Sequence, residues 1–178
     1  MLEITSVGAR VLVAFESTAG TRPAGTMATS ATLAEGVWFN LPNVNEAPEQ
    51  DMSAETIDVS DITDTVTRYV QGRQDPGGDQ ALTLNHTDSV IGIWENLVAT
   101  ANTKIASSKR LWFCYYFPNA AKAYYWCGMP LALGTSGIKQ NELDTMPAHV
   151  VLTGWEGWAE KPTFAASQTT IYDFPAAT

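Results

Sequence analysis

The strongest constraint on the fold is a pair of neighbouring segments, residues 111–117 (LWFCYYF) and 123–129 (AYYWCGM), which are aromatic and uncharged. Both are rich in residues that favour strands, and the short stretch between them predicts an antiparallel β-hairpin. The hairpin is apolar on both faces, so one face can cover a helix while the other must meet a second sheet or another subunit. Because such a strand promotes aggregation when its edge is exposed, we expect it to be buried or part of an interface.

The two cysteines, Cys114 and Cys127, lie one in each of these strands. A symmetric hairpin centred on residues 119–122 places them opposite one another. Two buried thiols in a reducing cytoplasm are more often inert core residues than a disulfide. The sequence therefore predicts reduced, buried cysteines.

One segment, residues 88–101, has the periodicity of an α-helix. Thr87 or Asp88 can accept hydrogen bonds from its first amides as the N-cap. Trp94 is predicted to anchor the helix on a sheet. Apolar side chains recur three and four positions apart at Val90, Ile91, Trp94, Leu97, Val98 and Ala101.

The other periodic segments predict strands, and a length of 178 residues predicts a single domain. Residues 55–59 alternate as a half-buried strand does, with Ile57 and Val59 on one side. The predicted fold class is mainly β, a β-sandwich or strongly bent β-barrel of about eight antiparallel strands with one flanking helix. The predicted strands are residues 4–15, 37–41, 55–59, 66–70, 80–85, 111–117, 123–129, 131–137 and 149–155.

Two segments have the composition of loops. Residues 16–36 are rich in Thr, Gly and other small residues, and the chain beyond Pro162 is rich in Ala, Ser and Thr. Both are predicted to be disordered in the isolated chain. Four apolar side chains of the second segment are predicted to dock on a partner, and these are Phe164, Ile171, Tyr172 and Phe174.

The motifs of common chemistries are missing from the sequence. It contains no phosphate-binding loop, dinucleotide fingerprint or nucleophile elbow. His86 and His149 are the two histidines, and neither has ligand-like spacing to a cysteine. Asp58, Asp61 and Asp64 recur every third residue, whereas an EF-type calcium loop alternates its ligands around a central glycine. We therefore predict that the protein is not an enzyme and binds no cofactor or metal.

The charge of the chain argues against nucleic-acid binding. The net charge is −9, and the ten basic residues are scattered. Proteins that hold DNA cluster Lys and Arg, because phosphate neutralisation supplies most of the affinity. The N-terminus lacks the layout of a signal peptide and no apolar run is long enough to span a bilayer, so we expect synthesis in the cytoplasm.

Six tryptophans and six tyrosines leave a second class open, a carbohydrate-binding β-sandwich module. Such a module stacks sugars on exposed aromatic rings and would be a stable monomer. Most aromatic residues of this chain lie within apolar strands, where packing already accounts for them.

Residues 55–75 (ETIDVSDITDTVTRYVQGRQD) resemble the signature segment of siphophage major tail proteins, the subunits of the tail tube. The pattern is an extended E-T-x-D-V strand, an acidic turn, a second strand ending in R-Y and a glycine loop. The resemblance continues through residues 82–85 (LTLN), the helix, the aromatic hairpin and the strand at 150–158, so it covers most of the chain. The matching residues are Glu55, Thr56, Asp58, Val59, Asp61, Asp64, Arg68, Tyr69 and Gly72.

The resemblance implies a tail tube domain in residues 1–161, related in fold to type VI secretion tube proteins, and a flexible C-terminal arm in residues 162–178. Six subunits would form a ring, and stacked rings would form a conduit through which DNA passes without specific binding. The implied location is the virion tail, assembled in the host cytoplasm without a membrane. The implied partners are further copies of the chain and the tape measure, tail tip and tail terminator proteins. The nearest alternative is the tube of a contractile or secretion-like particle.

Two sets of residues follow from the resemblance. Negative charge on the tube wall would repel the DNA backbone, and the implied lumen-facing residues are Glu55, Asp58, Asp61 and Asp64. In tail tube proteins a long insertion near residues 16–36 reaches the next ring, which implies assembly contacts there and in the C-terminal arm. The implied contacts are Thr21, Arg22, Met27, Leu33, Phe164, Ile171, Tyr172 and Phe174.

Overall fold

The computed structural model describes residues 8–63, 65–74, 77–138, 140, 142–166 and 168–177. Within them the chain is mainly β, and nine strands and one helix confirm the predicted fold class. The elements are β1 Arg10–Phe15, β2 Phe39–Asn40, β3 Val44–Glu46, β4 Ala54–Asp58, β5 Tyr69–Gln74, β6 Asp79–Asn85, α1 Asp88–Ile105, β7 Leu111–Tyr116, β8 Lys122–Pro130 and β9 Thr145–Glu160.

Seven of these strands form one antiparallel half-barrel sheet in the order β2-β1-β7-β8-β9-β6-β3. The remaining two, β4 and β5, pair only with each other. The longest strand, β9, organises one side of the large sheet. Its first part pairs with β6, from Thr145 opposite Asn85 to Val151 opposite Asp79. Its part from Val150 to Glu160 pairs with β8 on the other side.

The aromatic hairpin formed by β7 and β8 is at the centre of the fold, and both of its faces are buried. On the face toward α1, Phe113 stacks on Trp126 with ring centroids 4.3 Å apart. On the opposite face, Met27 and Trp38 pack against Tyr125 and its neighbours. The cover on that face is a segment of the same chain, neither a second sheet nor another subunit.

The prediction that the two cysteines lie opposite one another in the hairpin is wrong. Cys114 lies opposite Tyr125, and Cys127 lies opposite Trp112. The turn is centred one residue earlier than expected, which shifts each strand by two positions relative to its partner. Both thiols are reduced and buried, as predicted, and burial raises the pKa of each of them.

Helix α1 begins where the sequence predicted, with the Thr87 hydroxyl accepting a hydrogen bond from the Val90 amide at 3.3 Å. It continues to Ile105, beyond the predicted end at residue 101, and Lys104 in its last turn contacts Glu35. Trp94 is fully buried under the helix, and its indole Nε1 donates to the Leu131 carbonyl at 2.8 Å. The tryptophan therefore anchors the helix as predicted.

The predicted strand at 131–137 is absent from the described residues of that segment. Two backbone bonds still join it to β9, from Leu131 N to His149 O and from Gly134 N to Pro147 O. A regular ladder does not form, because Pro130 and Pro147 lack the amide protons that it would need.

The loop at residues 16–36 is tied to the sheet by a buried carboxylate, Glu16. Its Oε1 accepts from Arg110 Nε and from Trp112 Nε1, both at 2.9 Å, and its Oε2 accepts from Gly20 N at 2.8 Å. Burial raises the pKa of Glu16, but these hydrogen bonds together outweigh burial and hold the pKa below its ordinary value. The carboxylate is therefore ionised at neutral pH and fixes the start of the loop.

Candidate assembly surface

The least buried part of the chain is the exposed hairpin, residues 51–74, which contains β4 and β5. Every described residue in it is exposed except Met52, Ala54 and Gly72, which are half-buried. The strands are not half-buried as the alternation at 55–59 predicted, because no other element among the described residues covers either face. An isolated two-stranded hairpin is at best marginally stable in water, so this one is suited to a partner.

The exposed hairpin nonetheless has a defined local structure. At Gly72 an added Cβ would lie 2.8 Å from the Glu55 carbonyl oxygen, so the two strands cross where only glycine fits. Near the turn, Asp58 Oδ1 accepts from the Ser60 amide at 2.8 Å, and Ser60 Oγ accepts from the Arg68 amide at 2.9 Å. Gly72 therefore supplies the crossing point, and Asp58 and Ser60 supply the turn.

Apolar side chains are unusually exposed on this hairpin. The exposed fractions of Ile57 and Val70, which face each other across the two strands, are 48% and 47%. Tyr69 is 63% exposed and Ile62 fully so. Large exposed apolar side chains gathered on one element are a feature of interaction sites on soluble proteins.

Three of the four residues implied to face the lumen, Glu55, Asp58 and Asp61, are exposed on the same hairpin, and Asp64 lies outside the described residues. Hydrogen bonds from the Ser60 hydroxyl and amide lower the pKa of Asp58. Hydrogen bonds from the Thr63 amide and hydroxyl lower the pKa of Asp61. The turn therefore presents ionised carboxylates at neutral pH.

A second surface that lacks a partner is the open edge of β9, where no neighbouring strand that the structure describes pairs with its backbone. The last bond on its β6 side runs from Leu152 N to Gly78 O at 3.0 Å, and beyond it no strand of the described chain pairs with residues 153–160 on that side. Two large aromatic side chains are partly exposed there, Trp155 at 44% and Trp158 at 58%. An exposed, aromatic-bearing edge strand is a template for pairing with another chain.

A groove of about 740 Å³ opens beside this edge, at one end of the half-barrel. Aromatic rings and amide side chains are both among the groups that line it. Tyr115 is fixed in it by donating to the Pro48 carbonyl at 3.0 Å, and burial raises the pKa of Tyr115 to about 12. The residues that define the groove are Tyr115, Phe117, Tyr124, Trp158, Asn43, Asn45 and Gln50.

The implied assembly contacts fall into two groups. Met27 and Phe174 are buried and contribute to this chain's own core, with Phe174 edge-on to Phe39 at 5.8 Å. Both segments that were predicted to be disordered thus pack on the sheet through a buried anchor. Thr21, Leu33 and Phe164 are exposed, and Arg22, Ile171 and Tyr172 are half-buried.

The sequence did not identify the open edge or the groove. The sequence pattern ended this strand at residue 155 and the resemblance extended it to residue 158, whereas β9 runs to Glu160. A bulge near Gly157, whose φ is 84°, turns Trp155 and Trp158 to the same face, opposite Trp126 and Tyr124. The repeated Gly-Trp pairs at 154–155 and 157–158 are the signal that could have predicted this bulge.

The part of the chain that the structure describes has few other groups that could form a functional site. No group of three or more His, Cys, Asp or Glu side chains there is arranged to hold a metal ion. The two histidines make exposed pairs with carboxylates, His86 with Asp144 at 2.9 Å and His149 with Asp79 at 2.8 Å. Among the same residues, no helix combines the length and apolar character needed to cross a membrane.

The fold and surface define a mainly β chain with one helix, an exposed hairpin and an open strand edge. It is similar to a chain of an extracellular contractile injection system, the PVC sheath–tube complex in the extended state, with a TM-score of 0.45 and 11% identity over 85% of this chain and 88% of that chain. It is also similar to a chain of the anti-feeding prophage baseplate, 6-fold symmetrised, with a TM-score of 0.47 and 8% identity over 83% and 90%. No family model and no curated protein matches the sequence.

Proposed function

We propose that this chain is the structural subunit of a bacteriophage tail tube. The proposal rests on one observation: the chain has two different surfaces that lack a partner. These are the exposed hairpin and the open edge of β9. When unlike surfaces of identical chains bind each other, the association is head-to-tail and generates rings or helical filaments. A tube of stacked rings is one such assembly, and the tail-tube signature at residues 55–75 favours rings of six.

In this function the protein is a passive conduit and no residue is catalytic. The carboxylates of Glu55, Asp58 and Asp61, with Asp64 beside them in the sequence, would line the lumen and repel the phosphate backbone of passing DNA. The side chains of Thr21, Leu33 and Phe164 are exposed and would be accessible for contacts between rings, and those of Arg22, Ile171 and Tyr172 are half-buried. Tape measure, tail tip and tail terminator proteins would be the partners in the virion tail.

Negative-stain electron microscopy of purified protein tests the proposal. We expect a concentrated sample to contain hollow rings or tubes with six-fold end views, and a dilute sample to contain fewer of them, because association follows mass action. If concentrated protein stays monomeric, tail tip complexes should be added as initiators. Protein that remains monomeric even then contradicts the proposal. Copurification with a sheath protein would favour the tube of a contractile particle.

A second function, saccharide binding, is favoured by the groove alone. Its aromatic rings and its amide side chains are the two kinds of group that bind the faces and the hydroxyls of sugars. If this function is correct, titration with chitotriose, maltotriose or cellotriose should change the tryptophan fluorescence with saturation, and Trp158→Ala should abolish the change. An unchanged signal at millimolar saccharide contradicts it, with bovine serum albumin as the protein control.

A further inference from the structure

We infer that β5 of one copy adds to the open edge of β9 in a neighbouring copy, as an antiparallel strand. This inference rests on the proposed self-assembly and names the surfaces that would join. The occupant of the edge is thus a segment of a second copy of this chain, residues 69–74, with Arg68 immediately before it.

The sheet ends on the β6 side of β9 at Gly78. Strand β6 pairs antiparallel with β9 as far as Gly78, whereas the preceding strand, β5, pairs with β4. The position that a longer β6 would occupy along residues 153–160 is left open. Strand β5 extends over roughly 20 Å at about 3.4 Å per residue, which fits within the open length of roughly 27 Å. A second copy's β5 can therefore continue the ladder that this chain leaves incomplete.

The charges of the strands select β5 over β4. Strand β4 carries Glu55 and Asp58, whereas Arg68 and Arg73 flank and end β5. The open edge carries Glu160 and Glu156, and Glu156 already pairs with Arg22 of its own chain at 2.8 Å. Like charges directly opposite one another across strands are unfavourable and opposite charges are favourable. An antiparallel β5 brings Arg68 near Glu160 and Arg73 near Glu156.

Both elements also expose apolar surface. Val70 on β5, which an antiparallel pairing of Arg68 with Glu160 places opposite Trp158, is 47% exposed, and Trp155 and Trp158 are partly exposed along the edge. Aromatic and β-branched side chains on adjacent strands are favourable cross-strand neighbours. Strand addition would bury these side chains and would also pair backbone groups that the edge leaves open.

Charge reversal tests the inference. We expect Arg68→Glu with Arg73→Glu, and separately Glu156→Lys with Glu160→Lys, to raise the concentration needed for half-maximal assembly about tenfold or more in light scattering. The chain carrying all four changes should return close to the wild-type value, because each pair is again of opposite sign. Asp51→Lys with Glu55→Lys is the matched control, on and just before β4; both side chains are exposed, so this pair should leave assembly near wild type.

The outcomes separate this inference from the proposed function. A wild-type chain that stays monomeric contradicts both. Tubes that form equally well from both charge-reversed chains, or a fourfold variant that fails to recover, contradict the strand pairing alone. Circular dichroism checks that each variant is folded.

Cross-linking provides a second measurement that does not depend on charge reversal. A mixture of Arg73→Cys and Glu156→Cys chains should form a disulfide-linked heterodimer under mild oxidation. The mixture of Glu55→Cys and Glu156→Cys chains is the control and should form less of it. Equal yields from the two mixtures would overturn the assignment of β5 to this edge.

Discussion

Replacing Trp94 with alanine is expected to lower the free energy of unfolding by about 3–5 kcal/mol, the usual cost of removing a large buried aromatic side chain. Trp94 is fully buried, and its indole nitrogen is bonded to the Leu131 carbonyl at 2.8 Å. The substitution would leave a cavity between α1 and the sheet and would remove the partner of that carbonyl. Urea unfolding followed by circular dichroism measures the change.

The matched control is Trp158→Ala, which removes the same side chain from a site where it is 58% exposed. Its partners are the rings of Phe117 and Tyr124 at the surface, so the expected loss is about 1 kcal/mol or less. Similar losses at the two positions would show that α1 does not depend on Trp94 for its attachment.

Replacing Glu16 with alanine is expected to lower the free energy of unfolding by about 3 kcal/mol. The carboxylate is inaccessible to solvent and accepts bonds from Arg110, Trp112 and Gly20. Its removal leaves the Trp112 indole N–H and two backbone amides without their acceptor and releases the start of the 16–36 loop. Since the Arg110 side chain is 38% exposed, water can still solvate its charge, which limits the loss. Thermal unfolding measures the effect.

The pH dependence of the free energy of unfolding distinguishes the contribution of the negative charge of Glu16 from that of its side-chain packing. Folding lowers the pKa of this group, so its contribution to stability is present above the unfolded pKa of about 4.5 and is lost as pH falls through the lower folded value. The stability difference between wild type and Glu16→Gln should therefore be largest at neutral pH and should shrink below pH 4.5. Glu156→Ala, which breaks a more exposed pair with Arg22, is the control and should cost about 1 kcal/mol or less. A Gln variant whose deficit is the same at every pH would contradict the role of the charge.

The parts of the fold that the sequence predicted well are those set by local pattern. The helix cap at Thr87, the anchor at Trp94 and the aromatic hairpin depend on residues close together in the chain. The cysteine register was wrong because turn geometry, not composition, decides which residues face each other. The strand expected at 131–137 was wrong because prolines on neighbouring segments interrupt the ladder, which a single segment does not reveal.

The candidate surface was less predictable, because exposure depends on contacts between distant segments. The pattern of Ile57 and Val59 is that of a strand with one buried face, yet no element of the described chain covers it. The open edge arises because β9 is much longer than β6, a difference that neither strand shows alone. The burial of Met27 and Phe174 depends in turn on the other face of the aromatic hairpin and on Phe15 and Phe39.

The burial of the two cysteines has a practical consequence. Maleimide reagents attack the thiolate, and burial both shields Cys114 and Cys127 and raises their pKa, so the native thiols remain protonated at neutral pH. Because the sequence contains no other cysteine, a thiol introduced at the surface would be the single labelling site on the folded chain. Fluorophores or spin labels could then report distances between subunits during assembly without first removing a native cysteine.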